Sequence, residues 1–318
     1  MSKLGNFVWG IADQLRGVYK PHQYGNVILP MTILRRLDCI MAPTRDEVRK
    51  LALANPNPNL LAARVKQQTG LNFYNTSAYY LHKLTSDPDG LKVNLIDYLS
   101  KFSPNIDVFE RFTFEKEIAT LAEKNRLLFV VQKFLEADLH PDKVPNAEMG
   151  DLFEELIRKF AEASNETAGE HFTPRDAIRL MVEVLFAEDT DALSKPGVVR
   201  TVYDPTAGTG GMLSVAEEHL IGTPENPAFN PQARLTLFGQ EINDQSYAIC
   251  KSDLIAKGQD TSNIRLGDTL AEDLFFDRTF DYCLSNQPYG VDWRASQAAV
   301  EAERKRKHSR FAPGTPKI

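Results

Sequence analysis

Four short segments carry side chains whose types and spacing suit chemistry on a nucleotide-like ligand. In DPTAGTGGML (204–213), Gly208, Gly210 and Gly211 follow an apolar strand-like run and precede a helix-like one. Glycines there let the backbone turn tightly and approach a ligand with no Cβ in the way. The spacing is not the dinucleotide fingerprint, and no phosphate-clamping lysine follows as in a P-loop. A glycine cluster often merely ends a strand, but the preceding Asp204-Pro205 pair strengthens the ligand reading. Glu241 closes the strand-like LTLFGQEI, where a carboxylate accepts hydrogen bonds from ribose hydroxyls. Its distance from the glycine turn exceeds the typical spacing of about 20 residues, a gap that the inserted GTPENPAFNPQ accounts for. Alone, it reads as an ordinary exposed glutamate. Asp268 in RLGDT stands at the next strand end, placed either to accept from the exocyclic amine of an adenine ring or to cap a turn.

The fourth segment, SNQPYG, follows the buried-looking FDYCLS. An adenine amine is a poor nucleophile because its lone pair is delocalised into the ring. The side-chain oxygen of Asn286 and the backbone carbonyl of Gln287 are two acceptors able to hold its hydrogens while a bond forms at nitrogen. Pro288 stiffens the turn, and Tyr289 offers an aromatic face to a base taken out of a duplex. An Asn-Pro turn that merely caps a strand is common; its place as the fourth strand end favours the functional reading.

These segments must be positioned by the elements around them. From residue 150 onward, strand-like and helix-like runs alternate: GVVRTVYDP, GGMLSVAEEHLI, RLTLFGQEI, QSYAICKSDLIAKG, NIRLGD and FDYCLSNQPYG. Such alternation implies a parallel sheet with crossover helices, whose ligands sit beyond the carboxyl ends of the strands. Each segment named above lies at such an end. A helix is expected over FTPRDAIRLMVEVLF, with Thr173 as N-cap, Pro174 at the first helical position, Asp176 supporting the positive end, and Ile178, Met181, Val182 and Leu185 buried. Residues 1–136 read as mostly helical, from apolar spacing in GNVILPMTILRRLDCIM and EKEIATLAEKNRLLFVVQKFLE. ALANPNPNL reads as a loop, and ADLHPDKVPNAEMG as a domain boundary.

The 318 residues suffice for one large domain or two ordinary ones, with normal hydrophobic (42%) and charged (25%) fractions for a globular protein. The formal net charge of -6 is the wrong sign for gripping DNA with the whole surface, so any affinity for it must be local or supplied by a partner. Arg304, Lys305, Arg306, Lys307 and Arg310 form a local basic cluster, readable as a solvated loop or as a phosphate contact. Cys39, Cys250 and Cys283 are far apart, each in an apolar context, and are expected to be reduced core residues rather than metal ligands. No transmembrane run or signal peptide is evident, so a cytoplasmic protein is expected.

DPTAGTGG resembles the cofactor loop of S-adenosylmethionine-dependent methyltransferases, and NQPY resembles their amino-methylating signature, Asn or Asp followed by Pro-Pro and an aromatic residue. With AGEHFTPR, GNVILPMTILRRLD and the helical N-terminal region, essentially the whole chain resembles the modification subunit of type I restriction systems. The resemblance implies an α/β architecture: a helical N-terminal domain over 1–140, then a Rossmann-like methyltransferase domain over 150–318. Its sheet would be mostly parallel and short of C-terminal strands, because the sequence stops at RFAPGTPKI. It implies methyl transfer from S-adenosylmethionine to N6 of a flipped adenine, with no metal. By the same resemblance Glu170, His171, Phe172, Thr173, Pro174, Arg175, Thr206, Ala207, Gly208, Gly210 and Glu241 contact the cofactor, with Phe172 and Thr173 against its methionine end. Asp204 would lie beneath the loop near that end, Asp268 would contact the adenine of the cofactor, and Asn286, Gln287, Pro288 and Tyr289 would be catalytic. Implied partners are DNA, a specificity subunit, a restriction subunit and a second modification subunit.

Gln287 departs from the signature by replacing its first proline, which keeps the carbonyl acceptor but frees its direction. Two other readings stand beside the leading one. One is a protein glutamine methyltransferase, which shares the Asn-Pro-Pro-Tyr logic. The other is a catalytically silent module that binds cofactor and a specificity subunit.

Overall fold

The computed structural model describes residues 3–55, 57–164, 173–221, 230, 232–257, 259–288, 290 and 292–315. They divide into two compact units, one of residues 1–168 with 248–261 and one of residues 169–247 with 262–318.

The first unit is helical. Its helices are α1 (Lys3–Leu15), α2 (Gly25–Met41), α3 (Arg45–Ala54), α4 (Pro58–Thr69), α5 (Leu81–Leu84), α6 (Leu91–Ser100), α7 (Val108–Arg111), α8 (Phe114–Glu123), α9 (Leu127–Leu135) and α10 (Asn146–Ser164). Helix α2 is apolar around most of its circumference and is correspondingly buried among α1, α8, α9 and α10. Most of its buried polar groups are answered, Arg36 Nε being an exception. The Arg36 guanidinium donates to Val144 O at 2.8 Å and Asn146 Oδ1 at 2.6 Å, and also to Leu139 O. Asp38 accepts from the Tyr98 hydroxyl at 2.7 Å and pairs with Arg45 at 2.7 Å. The apolar run over 114–135 makes two helices, because Asn125 takes a left-handed conformation (φ 54) and the Arg126 amide closes back on Leu121 O at 2.8 Å. The proline-rich stretch leaves only a short loop, since Asn57 caps α4 with Pro58 at its first position.

The second unit is the expected α/β layer. It contains α11 (Arg175–Ala187), α12 (Thr190–Leu193), β1 (Val199–Asp204), α13 (Gly211–Ile221), β2 (Arg234–Glu241), β3 (Ile264–Leu266), β4 (Tyr282–Cys283) and, after it, α15 (Gln297–Arg304). Helix α14 (Asp244–Ala256) begins in this unit, and residues 248–261 belong to the first. All strand pairs are parallel, in the order β3-β2-β1-β4, with Val202 opposite both Leu237 and Tyr282. The chain steps from β1 outward to β2 and β3, then returns to the other side of β1. That reversal makes the crevice beyond the carboxyl ends of β1 and β4 the natural ligand position.

The aromatic side chains Tyr203, Phe238, Phe275 and Phe280 cluster, with Tyr203 and Phe280 stacked at 4.6 Å. Phe186 of α11 meets the Tyr282 ring edge-on at 4.8 Å. Helix α11 buries Ile178, Val182 and Phe186, while Met181 and Leu185 are half-buried. Cys39 and Cys250 are buried as expected, but Cys283 is exposed. β4 is one of the two edge strands of the described sheet, so one side of Cys283 has no neighbouring strand among the described residues. Among the described residues no helix is long and apolar enough to cross a membrane.

Candidate active site

β1 ends in Asp204, and the turn that follows is built by hydrogen bonds to that carboxylate. Asp204 Oδ1 accepts from the Thr206 amide at 2.9 Å and, more weakly, from its hydroxyl at 3.4 Å. The turn then docks on β2: the Ala207 amide donates to Gln240 O at 3.0 Å. Gly208 (φ 54) and Gly210 (φ 82) occupy left-handed conformations that side chains resist. A Cβ on Gly208 would meet only Thr206 O at 3.9 Å, so this glycine is required by its backbone angle and leaves open space above the turn. Gly239, in β2, is required for the opposite reason. A Cβ there would lie 3.1 Å from both Ala207 Cβ and Ile264 Cδ1, so its absence lets the turn settle on the strand.

Glu241 sits at the end of β2 and is 8% exposed, which rules out the ordinary surface glutamate. Its two oxygens join two elements: Oε2 accepts from the Gly208 amide at 2.8 Å and Oε1 from the Asn243 amide at 2.7 Å. Asn243 in turn caps α14 through the amides of Gln245 and Ser246. The neighbouring Ile242 is 66% exposed, an apolar side chain left uncovered beside the acid.

Asp204 is buried, and desolvation pushes its carboxyl up to about 7, with the nearby Glu241 charge adding to the rise and the hydrogen bonds from Thr206 opposing it. The acid beneath the turn therefore changes charge near neutrality. A cation above it would favour the ionised form.

Asp268 follows β3 and does what a turn aspartate does. Oδ1 accepts from the Leu270 amide at 2.9 Å, and its backbone oxygen accepts from the Glu272 amide. Oδ2 is held by the Ser296 hydroxyl. Each oxygen of an ionised carboxylate accepts more than one hydrogen bond, so these contacts fix the group without exhausting it.

Asn286 lies just past β4, and the structure brings it to the glycine turn. The Thr206 hydroxyl reaches Ser285 Oγ at 2.9 Å and Asn286 O at 3.3 Å. The Asn286 side-chain amide donates to Thr173 Oγ1 at 2.9 Å. Thr173 is thus not the N-cap of α11: Pro174 holds that position, no side chain caps the helix, and the threonine hydroxyl is occupied by Asn286. Asp176 is in the first turn as expected, paired with Arg179. Arg175 is buried and faces Glu218 of α13 at 4.0 Å. Gln287 and Pro288 are exposed. Glu170, His171, Phe172 and Tyr289 lie outside the described residues.

The structure therefore gathers Asp204, Thr206, Ala207, Gly208 and Gly210, Glu241, Asp268, Asn286 and Thr173 at one end of one sheet. Sequence reading quoted Ser285 and Thr269 within SNQPYG and RLGDT without giving them a role, and missed Ser296; all three stitch that end together. Thr269 Oγ1 donates to Pro205 O at 2.6 Å. Ser285 opens SNQPYG and was findable by position, whereas Ser296 is 28 residues from its partner with no local signal.

A parallel sheet carrying a glycine turn after its first strand, an acid at the end of its second and a reversal beside its first defines the class of doubly wound, nucleotide-cofactor folds. Within that class, residues 145–317 match the N-6 DNA Methylase family and residues 4–134 match the HsdM N-terminal domain. The chain belongs to the N-6 DNA methylase family. It is 26% identical over 330 residues to the type I restriction enzyme MjaIX methylase subunit of Methanocaldococcus jannaschii, covering 98% of this chain and 55% of that protein. It is 27% identical over 154 residues to the MpnII methylase subunit of Mycoplasma pneumoniae, covering 45% of this chain and 26% of that one. The chain thus spans about half the length of the first relative or less of the second. Its fold resembles that of a type I restriction-modification system methyltransferase subunit from Streptococcus thermophilus, with a TM-score of 0.64 and 23% identity over 95% of this chain and 66% of that one.

Proposed function

We propose that the chain acts as the methyltransferase part of a type I restriction-modification assembly, transferring a methyl group from S-adenosylmethionine to N6 of adenine in DNA. One observation carries this reading: Thr206 of the glycine turn bonds to Ser285 and Asn286, so a cofactor turn and an amine-accepting asparagine share one strand-end crevice.

The residues present fit the cofactor. The space above Gly208 admits the close approach of a ligand, and Glu241 stands where ribose hydroxyls would lie. Ile242 offers an apolar surface to an aromatic ring, Asp268 an acceptor to its amine, and Asp204 with Thr173 would line the methionine end. When bound, S-adenosylmethionine supplies an electrophilic methyl group on a sulfonium. The chain supplies geometry and acceptors. Asn286 Oδ1 and the Gln287 carbonyl hold the two hydrogens of the adenine amine and draw its lone pair out of the ring, and Pro288 limits the motion of the turn. Glu170, His171, Phe172 and Arg175 belong to the cofactor side of the same reading and Tyr289 to the base side.

With a net charge of -6, the chain reads sequence through a specificity subunit, in an assembly with a second modification subunit and a restriction subunit. The setting is the cytoplasm, where the DNA is. The test is transfer of labelled methyl to duplex DNA by this chain with a specificity subunit. Transfer to adenine that disappears in Asn286→Ala supports the proposal. Cofactor binding with no transfer to DNA, even in Gln287→Pro, overturns it in favour of a silent module.

A further inference from the structure

The basic cluster that begins at the last residue of α15, Arg304, is not a loose tail. The Arg306 amide donates to Glu303 O at 2.8 Å, closing the helix end. Arg310 then folds back on Glu303, with Nη2 to Oε2 at 2.6 Å and Nε to Oε1 at 2.9 Å, while its backbone amide reaches the same carboxylate at 3.2 Å. Its remaining nitrogen, Nη1, donates to Thr269 O at 2.6 Å. The segment between, Arg304, Lys305, Arg306 and Lys307, is exposed throughout, and none of the four forms an ion pair with a described residue. Glu303 is the acid nearest in sequence, and its charge is answered first by Arg310, which holds it below the usual carboxylate range, with Arg306 a lesser contributor.

This turn is anchored to the strand ends. Thr269, which accepts from Arg310, donates to Pro205 O of the glycine turn, and Ser296, immediately before α15, binds Asp268.

Four adjacent like charges on a fastened turn repel one another, and the carboxyl end of α15 and the Glu303 charge offset that repulsion only in part. A polyanion opposite them would relieve it, and the turn is preorganised, so little ordering cost remains on binding. We propose that the turn 304–307 is a contact for the phosphate backbone of nucleic acid, beside the strand-end crevice of an otherwise acidic chain. The inference rests on the proposed function for the identity of the polyanion. It needs no methyl transfer to be tested.

The experiment measures binding of a short labelled DNA duplex to the full chain across a salt series. Compared are wild type, Lys305→Gln/Lys307→Gln, the quadruple Gln variant of 304–307, and a charge-matched control, Lys195→Gln/Arg234→Gln, at exposed positions near the amino ends of β1 and β2. Each lost phosphate contact lowers the slope of log affinity against log salt by about 0.9. The expected result is a slope smaller by about 2 in the double variant and by 3 to 4 in the quadruple variant, with roughly tenfold or greater loss of affinity at low salt. The control should match wild type. Equal losses in the control, no loss in the quadruple variant with its thermal melt intact, or competition by polyglutamate as strong as by duplex, which points to an acidic protein, would each overturn the inference. Methyl transfer to DNA with an unchanged salt slope in the variants removes this inference alone. Duplex binding through the turn with no transfer to adenine removes the proposed function alone.

Discussion

Asn286 and Thr173, 113 residues apart, are joined by a 2.9 Å hydrogen bond in which the asparagine amide nitrogen donates to the threonine hydroxyl. A primary amide has one donor end and one acceptor end, so holding the nitrogen on one side presents the oxygen on the other. The chemistry proposed for Asn286 needs that oxygen toward the substrate amine. Thr173→Val keeps the side-chain shape and removes the acceptor. A hydrogen bond of about 1 kcal/mol corresponds to a fall in kcat of roughly five- to tenfold. Valine keeps a methyl group for the methionine end of the cofactor, so cofactor affinity, read by calorimetry, is expected to stay near the wild-type value, and Thr173→Ser to restore most of the rate. A weakened cofactor Kd with an unchanged kcat would mean that the hydroxyl serves the cofactor and not Asn286.

Gly208 and Gly239 look alike in sequence but fail differently when substituted. An alanine at Gly208 has room, so Gly208→Ala costs about 1 kcal/mol through its φ of 54 and acts mainly on cofactor binding through the turn. An alanine at Gly239 meets Ala207, Ile264 and Leu213 at 3.1 to 3.2 Å, so Gly239→Ala costs about 1 to 3 kcal/mol of overpacking. Urea unfolding of the two variants should therefore rank Gly239→Ala as the less stable. The reverse order would mean that the turn is not seated on β2 as described.

What the sequence made legible follows from how local each signal is. The glycine turn and Asn286 were readable because the chemistry needs contiguous residue types at a strand end. The order of strands and helices was readable from periodicity, and α2 from its apolar run. Asp268 was visible as a carboxylate, but its holding by Ser296 depends on a return of the chain that no local pattern encodes. Thr173 misled for a related reason: Thr-Pro before an apolar run has the grammar of a helix cap, and a long-range amide claimed the hydroxyl. Cys283 looked buried because its neighbours are apolar, whereas its edge-strand position decides its exposure.

Glu241 fastens Gly208 to Asn243, so the carboxylate both shapes the turn and faces the ligand. Glu241→Gln retains one acceptor oxygen and replaces the other with a donor aimed at a backbone N–H. One of the two bonds is lost and a clash of donors takes its place. The lost bond lies within the fold, so stability is expected to fall by about 1 to 3 kcal/mol in denaturant unfolding, and cofactor affinity to fall separately by on the order of 2 kcal/mol, about thirtyfold. If Glu241→Gln binds cofactor as wild type does, the acid serves the fold alone.

Asp204 yields a prediction with a definite sign. Its carboxyl is raised from the ordinary 3.8 to about 7 in the folded protein, first by burial and then by the Glu241 charge. Between these values the folded state holds a proton that the unfolded state has released, so the contribution of this group to stability is full below about 4 and declines as pH rises toward 7. A shift of about three units corresponds to roughly 4 kcal/mol, reached above neutrality. Asp204→Asn keeps an acceptor for the Thr206 amide and cannot ionise, so it escapes this loss. Denaturant unfolding at intervals from pH 4 to pH 9 should show the variant gaining on wild type through that window and running parallel to it above. A cationic ligand reverses the preference by stabilising the ionised carboxylate. S-adenosylmethionine should therefore bind wild type more tightly as pH rises through about 7, with proton release, and bind Asp204→Asn with little dependence on pH from this group. Parallel stability curves for the two proteins over the whole range would mean that Asp204 ionises normally despite its burial.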